Sequence, residues 1–168
     1  LGNHLLIAGR GGVFRASLTQ RGWDRLITKK DLTSKRIYSI AAGSGGNLMV
    51  ATERNAYLFH ESGMILRTLF PIGLDWPVFD IKYEDGQYYL STYYGLYVYD
   101  EVTLGFTLKV NSSGSTIPIS ENSAIDPIYE SVMVGDKLWA TTHRGLMVLD
   151  LLTGEGAFHL SPNTPFKP

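Results

Sequence analysis

A chain of 168 residues that is 44% apolar and 18% charged can bury about 70% of its unfolded surface, and is too apolar for intrinsic disorder. Its 15 Lys and Arg against 16 Asp and Glu leave a net charge of −1, which removes the electrostatic case for a nucleic-acid partner. With no cysteine there is no disulfide framework, thiolate metal site or cysteine nucleophile, and no stretch reaches the ~20 apolar residues of a membrane helix.

In chain order, residues 5–8 and 13–16 flank Gly9-Arg10-Gly11-Gly12 and predict a hairpin, with 23–27 as a third strand. After a basic connection, 36–42 alternates and predicts a strand. Gly43-Ser44-Gly45-Gly46-Asn47 is a tight turn, and 48–52, 56–60 and 64–70 complete a four-strand set. The same order follows at 78–83, 88–92, 96–99 and 105–110, and again at 128–134, 138–142, 146–149 and 156–160. Pro77 and Pro127 precede the first strand of their sets, where a missing N–H does little harm. Asp85, Asp100, Glu101, Asp136 and Asp150 fall in the turns and read as turn formers.

The order repeats because the residues do. KLWATTHRGLMVLD at 137–150 returns as QYYLSTYYGLYVYD at 87–100, NLMVATERNAYLFH at 47–60 and, more weakly, HLLIAGRGGVFRAS at 4–17. Counted from Leu5, Leu48, Tyr88 and Leu138, the spacings are 43, 40 and 50 residues. Four-stranded antiparallel meanders at that period predict an all-β chain of about four β-propeller blades, over 1–28, 36–70, 77–110 and 127–160, with 161–168 as a tail. Inner strands such as Leu48-Met49-Val50-Ala51 are apolar on both faces, as strands between two blades must be. Gly12, Gly95 and Gly145 fit a left-handed turn position, and Asn55, the next most tolerant residue, is expected to share it.

Leu138-Trp139, Thr142, Gly145-Leu146 and Asp150, with Gly135-Asp136 upstream, form a pattern that resembles the two-component regulator propeller repeat. The third copy carries it as Asp85-Gly86, Ser91-Thr92, Gly95-Leu96 and Asp100; the second has Ala51-Thr52 but Ala56 for the Leu, and the first lacks its innermost strand. The resemblance implies the periplasmic or extracellular sensor region of a hybrid two-component system, often one sensing oligosaccharides. A membrane span and histidine kinase would lie outside this chain. It further implies a segment of a larger propeller rather than a closed four-blade ring, so an apolar sheet face is expected at each end, to be covered by neighbouring blades or a homodimer partner.

Catalytic chemistry is not legible. His4, His60, His143 and His159 fall at unrelated repeat phases, no metal-ligand spacing or Ser/His/Asp set can be assembled, and no cofactor is expected. In a propeller, the turn between second and third strands shares one end of the ring with the inter-blade connections. That gathers Arg10, Glu53, Arg54, Tyr93, Tyr94, His143 and Arg144 on one surface, with Trp76 in the connection 71–77. Aromatic faces and planar polar groups there suit a sugar, an acidic sugar or a protein partner. The expected function is a noncatalytic ligand-sensing module. The alternatives are a protein-interaction scaffold and a propeller glycoside hydrolase or lyase.

Overall fold

The computed structural model describes residues 4–28, 32, 36–70, 75–119 and 125–160. Their regular structure is entirely strand. The first sheet holds β1 (His4–Gly9), β2 (Gly12–Ser17) and β3 (Trp23–Thr28), antiparallel and in chain order. The second is β4 (Ile37–Ala42), β5 (Asn47–Thr52), β6 (Ala56–His60) and β7 (Ile65–Thr68). The third is β8 (Val78–Glu84), β9 (Gln87–Thr92), β10 (Gly95–Asp100) and β11 (Gly105–Val110). The fourth is β12 (Ile128–Val134), β13 (Lys137–Thr142), β14 (Gly145–Asp150) and β15 (Gly156–Leu160). The antiparallel meanders are those that the repeat predicts, the first with three strands and the others with four. The expected tail, 161–168, lies outside the described residues.

β4, β8 and β12 lie side by side, so the blades are arrayed about their first strands. Each inner strand buries alternate residues against opposite neighbours. Leu48 and Val50 pack with Val13 and Ile27 of the first blade, while Met49 and Ala51 meet Tyr88 and Leu90 of the third. Tyr89 in turn faces Leu138 and Ala140 of the fourth. Burial on both faces is why these runs are apolar throughout instead of alternating. Tyr88, Tyr89, Tyr97 and Tyr99 are all buried in these junctions.

The recurring polar residues close turns. Thr52, Thr92 and Thr142 donate through Oγ1 to the carbonyls of Asn55, Gly95 and Gly145 at 2.8, 2.8 and 3.1 Å. The same oxygens accept the N–H groups of Arg54, Tyr94 and Arg144, a local side-chain-to-backbone turn. Asp100 and Asp150 accept two backbone N–H groups each, from Val102 and Thr103 and from Leu152 and Thr153. Those backbone bonds, above all from Thr103 and Thr153, hold both carboxyls below the ordinary range.

Asn55 departs from expectation. Gly12, Gly95 and Gly145 have φ of 122°, 113° and 136°, but the described non-glycine residues at positive φ are Asp85 and Leu104. At Gly95 a Cβ would lie 2.8 Å from the Val110 carbonyl oxygen, so close approach of the outer strand demands glycine there. In the second blade the buried Asn55 amide spans the corresponding space, donating to the Phe70 carbonyl and accepting the Phe70 and Ala56 N–H groups. The position is kept by an amide bridge rather than by backbone tolerance.

Glu101 also departs from its reading as a turn former. It reaches from the β10–β11 turn to the second blade and accepts from Ser44 Oγ at 2.6 Å, Asn47 Nδ2 at 2.8 Å and Tyr83 OH at 2.8 Å. Burial acts to raise its pKa, but the bonds from Ser44, Asn47 and Tyr83 outweigh it and the carboxyl lies below its usual range.

Candidate functional site

The sheet register explains what stands at the turn-rich end. In the last three blades the first strand, β4, β8 or β12, begins with a β-bulge, between Ile37 and Ser39, between Val78 and Asp80, and between Ile128 and Ser131. A bulge places an extra residue opposite one partner and re-aims its side chain. The irregular stretch carries an aromatic each time: Tyr38, Phe79 and, beside Glu130, Tyr129. Their rings form a row across three blades, with centroids 6.0 Å apart from Tyr38 to Phe79 and 5.5 Å from Phe79 to Tyr129. Tyr38 is 45% and Tyr129 43% exposed, so the row is a surface feature and not core.

The bulges lie at the end of the sheets where the β5–β6, β9–β10 and β13–β14 turns emerge, since Ile37, Val78 and Ile128 pair with Thr52, Thr92 and Thr142. The sequence-predicted residues therefore share an end with the row, and some reach it. Tyr93, half-buried, places its ring 6.4 Å from Phe79 and 5.5 Å from Tyr94. Tyr94 meets Trp76 at 4.4 Å, and Trp76 stacks on the buried Phe70 at 4.9 Å with 10° between planes. Trp76 is thus half-buried against the second junction, and its indole N–H is enclosed without a hydrogen-bond partner.

The charged positions are tied to neighbouring segments. Arg54 pairs with Asp75 at 3.4 Å and Glu53 with Arg36 at 3.9 Å. His143 Nδ1 stands 3.7 Å from Asp126, and Arg144 donates to Ser113 Oγ at 3.0 Å. Asp126 also accepts the Ser112 N–H and hydroxyl, which fastens the connection before β12. Arg10 is exposed in the first blade's turn, and no described contact joins it to the others.

Beneath the row lies a polar node. Asp80, buried, accepts from Ser39 Oγ of the second blade, from Ser131 N and Oγ of the fourth, all at 3.0 Å, and from Lys82 Nζ. Burial acts to raise Asp80, but Lys82, Ser131 and Ser39 together lower it. One carboxylate thus links β4, β8 and β12, close in sequence to the aromatic residues, and fixes their spacing. Among the described residues, no three His, Asp or Glu side chains gather as a metal site.

Reading alternation alone missed Tyr38, Phe79 and Tyr129, because a bulge breaks the period of two. The signal was present as a repeat: Ile37-Tyr38, Val78-Phe79 and Ile128-Tyr129 place an apolar residue and an aromatic at the same point of three units.

No protein-family model matches the sequence, and neither does any curated protein. Solved structures do share its shape. The computationally designed protein Ika8 superposes over 96% of this chain at TM-score 0.68 and 15% identity. A chain of a nidogen–laminin complex covers 96% at TM-score 0.64 and 12% identity. The extracellular domain assigned to the hybrid two-component system BT3049 of B. thetaiotaomicron covers 96% at TM-score 0.51 and 17% identity. The chain spans 48%, 60% and 27% of those chains' lengths, in that order. At such identities the likeness is one of fold, and with the four sheets described above it makes this chain a run of β-propeller blades.

Proposed function

We propose that this chain is a noncatalytic ligand-contact module of a sensor exposed to the periplasm or cell exterior, and that its ligand lies along Tyr38, Phe79 and Tyr129. The observation that carries the reading is the row itself: three rings, one from each of three adjacent blades, held at the surface by bulges. Two exposed rings flanking the half-buried Phe79 form a continuous ridge rather than separate slots. Such a ridge suits a ligand with flat C–H faces and polar edges, and an oligosaccharide has both. Tyr38, Tyr93 and Tyr129 hydroxyls and the exposed Glu130 supply hydrogen-bonding groups around it. The extracellular two-component domain among the structural neighbours supports placing the module in a receptor.

A ligand spanning the row touches three inner strands at once, so it favours the blade spacing in which all three contacts are made. That differential contact is what a downstream kinase, outside this chain, would read. Binding calorimetry against linear oligosaccharides, neutral and acidic, tests the reading. Tyr38→Ala and Tyr129→Ala should each weaken the binding member of the panel about tenfold, equivalent to about 1.4 kcal/mol, without lowering the melting temperature. Absence of binding to every saccharide, or turnover of any, rejects it.

A further inference from the structure

The outer parts of the second–third and third–fourth junctions differ by one cation. Leu58 pairs with Arg67 across β6 and β7, and Val98 with Leu108 across β10 and β11, so Leu108 holds the place of Arg67 one blade on. Arg67 reaches from the second blade to the third and donates through Nη1 to the Leu104 carbonyl in the β10–β11 turn. In the fourth blade the residue matching Leu104 is Gly154, since each stands four residues past the Asp that caps its turn. Both have left-handed backbone, with φ of 53° and 72°. A Cβ on Gly154 would lie 3.9 Å from Leu108 Cδ2, so these two residues face each other across the third–fourth junction as Arg67 and Leu104 do across the second–third.

Leucine and glycine leave open what arginine and leucine close. A cavity of ≈ 190 Å³ remains there, with Tyr89, Val98, Leu108, Leu149 and Leu151 in its wall. Asp150 is the charged residue of that lining. The Thr153 N–H above all holds its carboxyl below the ordinary range, so it is ionised at neutral pH. Besides burial, Asp85 and Glu84 push the Tyr89 hydroxyl up, which marks a negative field at that wall. Lys137, paired with Asp150 across β13 and β14, is the opposing charge. A cavity of about 150 Å³ admits a benzene ring, so this one has room for a small cationic head on a stem of about four carbons.

We propose that this cavity binds a small organic cation, a guanidinium or primary ammonium group on a short aliphatic stem, in the place that Arg67 takes one junction earlier. The stem packs on Leu108 and Leu151, and the head meets Asp150 and the β14–β15 turn, where a charge-assisted hydrogen bond is stronger than a neutral one. The site lies at the end of the sheets away from Tyr38, Phe79 and Tyr129, and its occupant touches both blades.

Proton–nitrogen correlation NMR on the 168-residue chain, titrated with n-butylguanidinium, tests this. The amides of Gln87, Thr107, Leu151, Thr153 and Gly154 should shift saturably, and those of Tyr38 and Tyr129 should not. Uncharged n-butanol should bind at least about tenfold more weakly, and butyrate not at all. Leu108→Arg supplies the cation from within the chain and should abolish the response without lowering the melting temperature. Asp150→Asn keeps an oxygen for the Leu152 and Thr153 N–H groups but removes the charge, and should weaken n-butylguanidinium about tenfold while leaving n-butanol unchanged. No saturable shift at these amides, equal binding of n-butanol, or full binding by either folded variant overturns the proposal.

Discussion

The junction between the second and third blades and that between the third and fourth are built from the same repeat and closed differently. Both share the Asp80 node at the inner strands. At the end away from the aromatic row, the second–third junction is clamped by Glu101, with Tyr88 OH adding a contact at 3.3 Å. At the third–fourth junction Leu151 takes that place: its N–H bonds Asp136 O as the Glu101 N–H bonds Gly86 O, but its side chain offers no acceptor. A cavity of ≈ 190 Å³, lined by residues including Gln87, Tyr89, Thr107, Leu108 and Leu151, opens there instead. The repeat specifies the blade, and side chains outside its pattern decide how firmly each pair of blades is joined.

Substitutions should expose that asymmetry. Glu101→Ala leaves the donors of Ser44, Asn47, Tyr83 and Tyr88 without their acceptor and should cost about 3 kcal/mol in denaturant melts. Leu151→Ala, at the matching place, should cost about 1 kcal/mol, since Leu151 is only partly buried beside an existing cavity. Equal losses would dissolve the contrast. Gly43→Ala comes next: its Cβ would fall 1.9 Å from Tyr88 OH and 2.6 Å from Glu101 Oε1, and should cost about 2 kcal/mol by prising the clamp apart. In Glu101→Ala the same substitution should cost markedly less, which a double-mutant cycle would read.

Acid gives an independent probe. The folded pKa of Glu101 lies below its unfolded value. Its contribution is therefore complete above the ordinary glutamate range of about 4.3 and is lost as the pH falls through the depressed folded value. Glu101→Gln should flatten the acid limb of the stability–pH curve, whereas Leu151→Gln should leave its shape unchanged. An unaltered acid limb in Glu101→Gln would mean that the carboxylate is not what clamps the junction. An effect as small as that at Leu151, about 1 kcal/mol, is expected at Asn55→Gly, from loss of the amide bridge to Phe70.

The strands and their order were legible because each blade repeats a sequence with turn chemistry at fixed places: Thr52, Thr92 and Thr142 before the turn, Asp100 and Asp150 after it. What could not be read was chemistry that depends on register or on partners distant in sequence. Nothing local distinguishes Glu101, a clamp to Ser44, from Asp100, which caps its own turn. Tyr38, Phe79 and Tyr129 sit in runs whose alternation places them without regard to a bulge, so the row emerges only when the inner strands are aligned. Of the turn residues singled out from sequence, Tyr93 and Tyr94 continue from the row, whereas Trp76 is drawn into the aromatic packing on Phe70.

The most direct test sets the row against the turn tips in one calorimetric experiment. The oligosaccharide that the wild type binds is titrated into Tyr38→Ala/Tyr129→Ala and into His143→Ala/Arg144→Ala. The row variant should lose at least about tenfold in affinity and the tip variant less than about threefold, both with unchanged melting temperature. The reverse order would move the ligand off the bulges and onto the turns, and contradict the account.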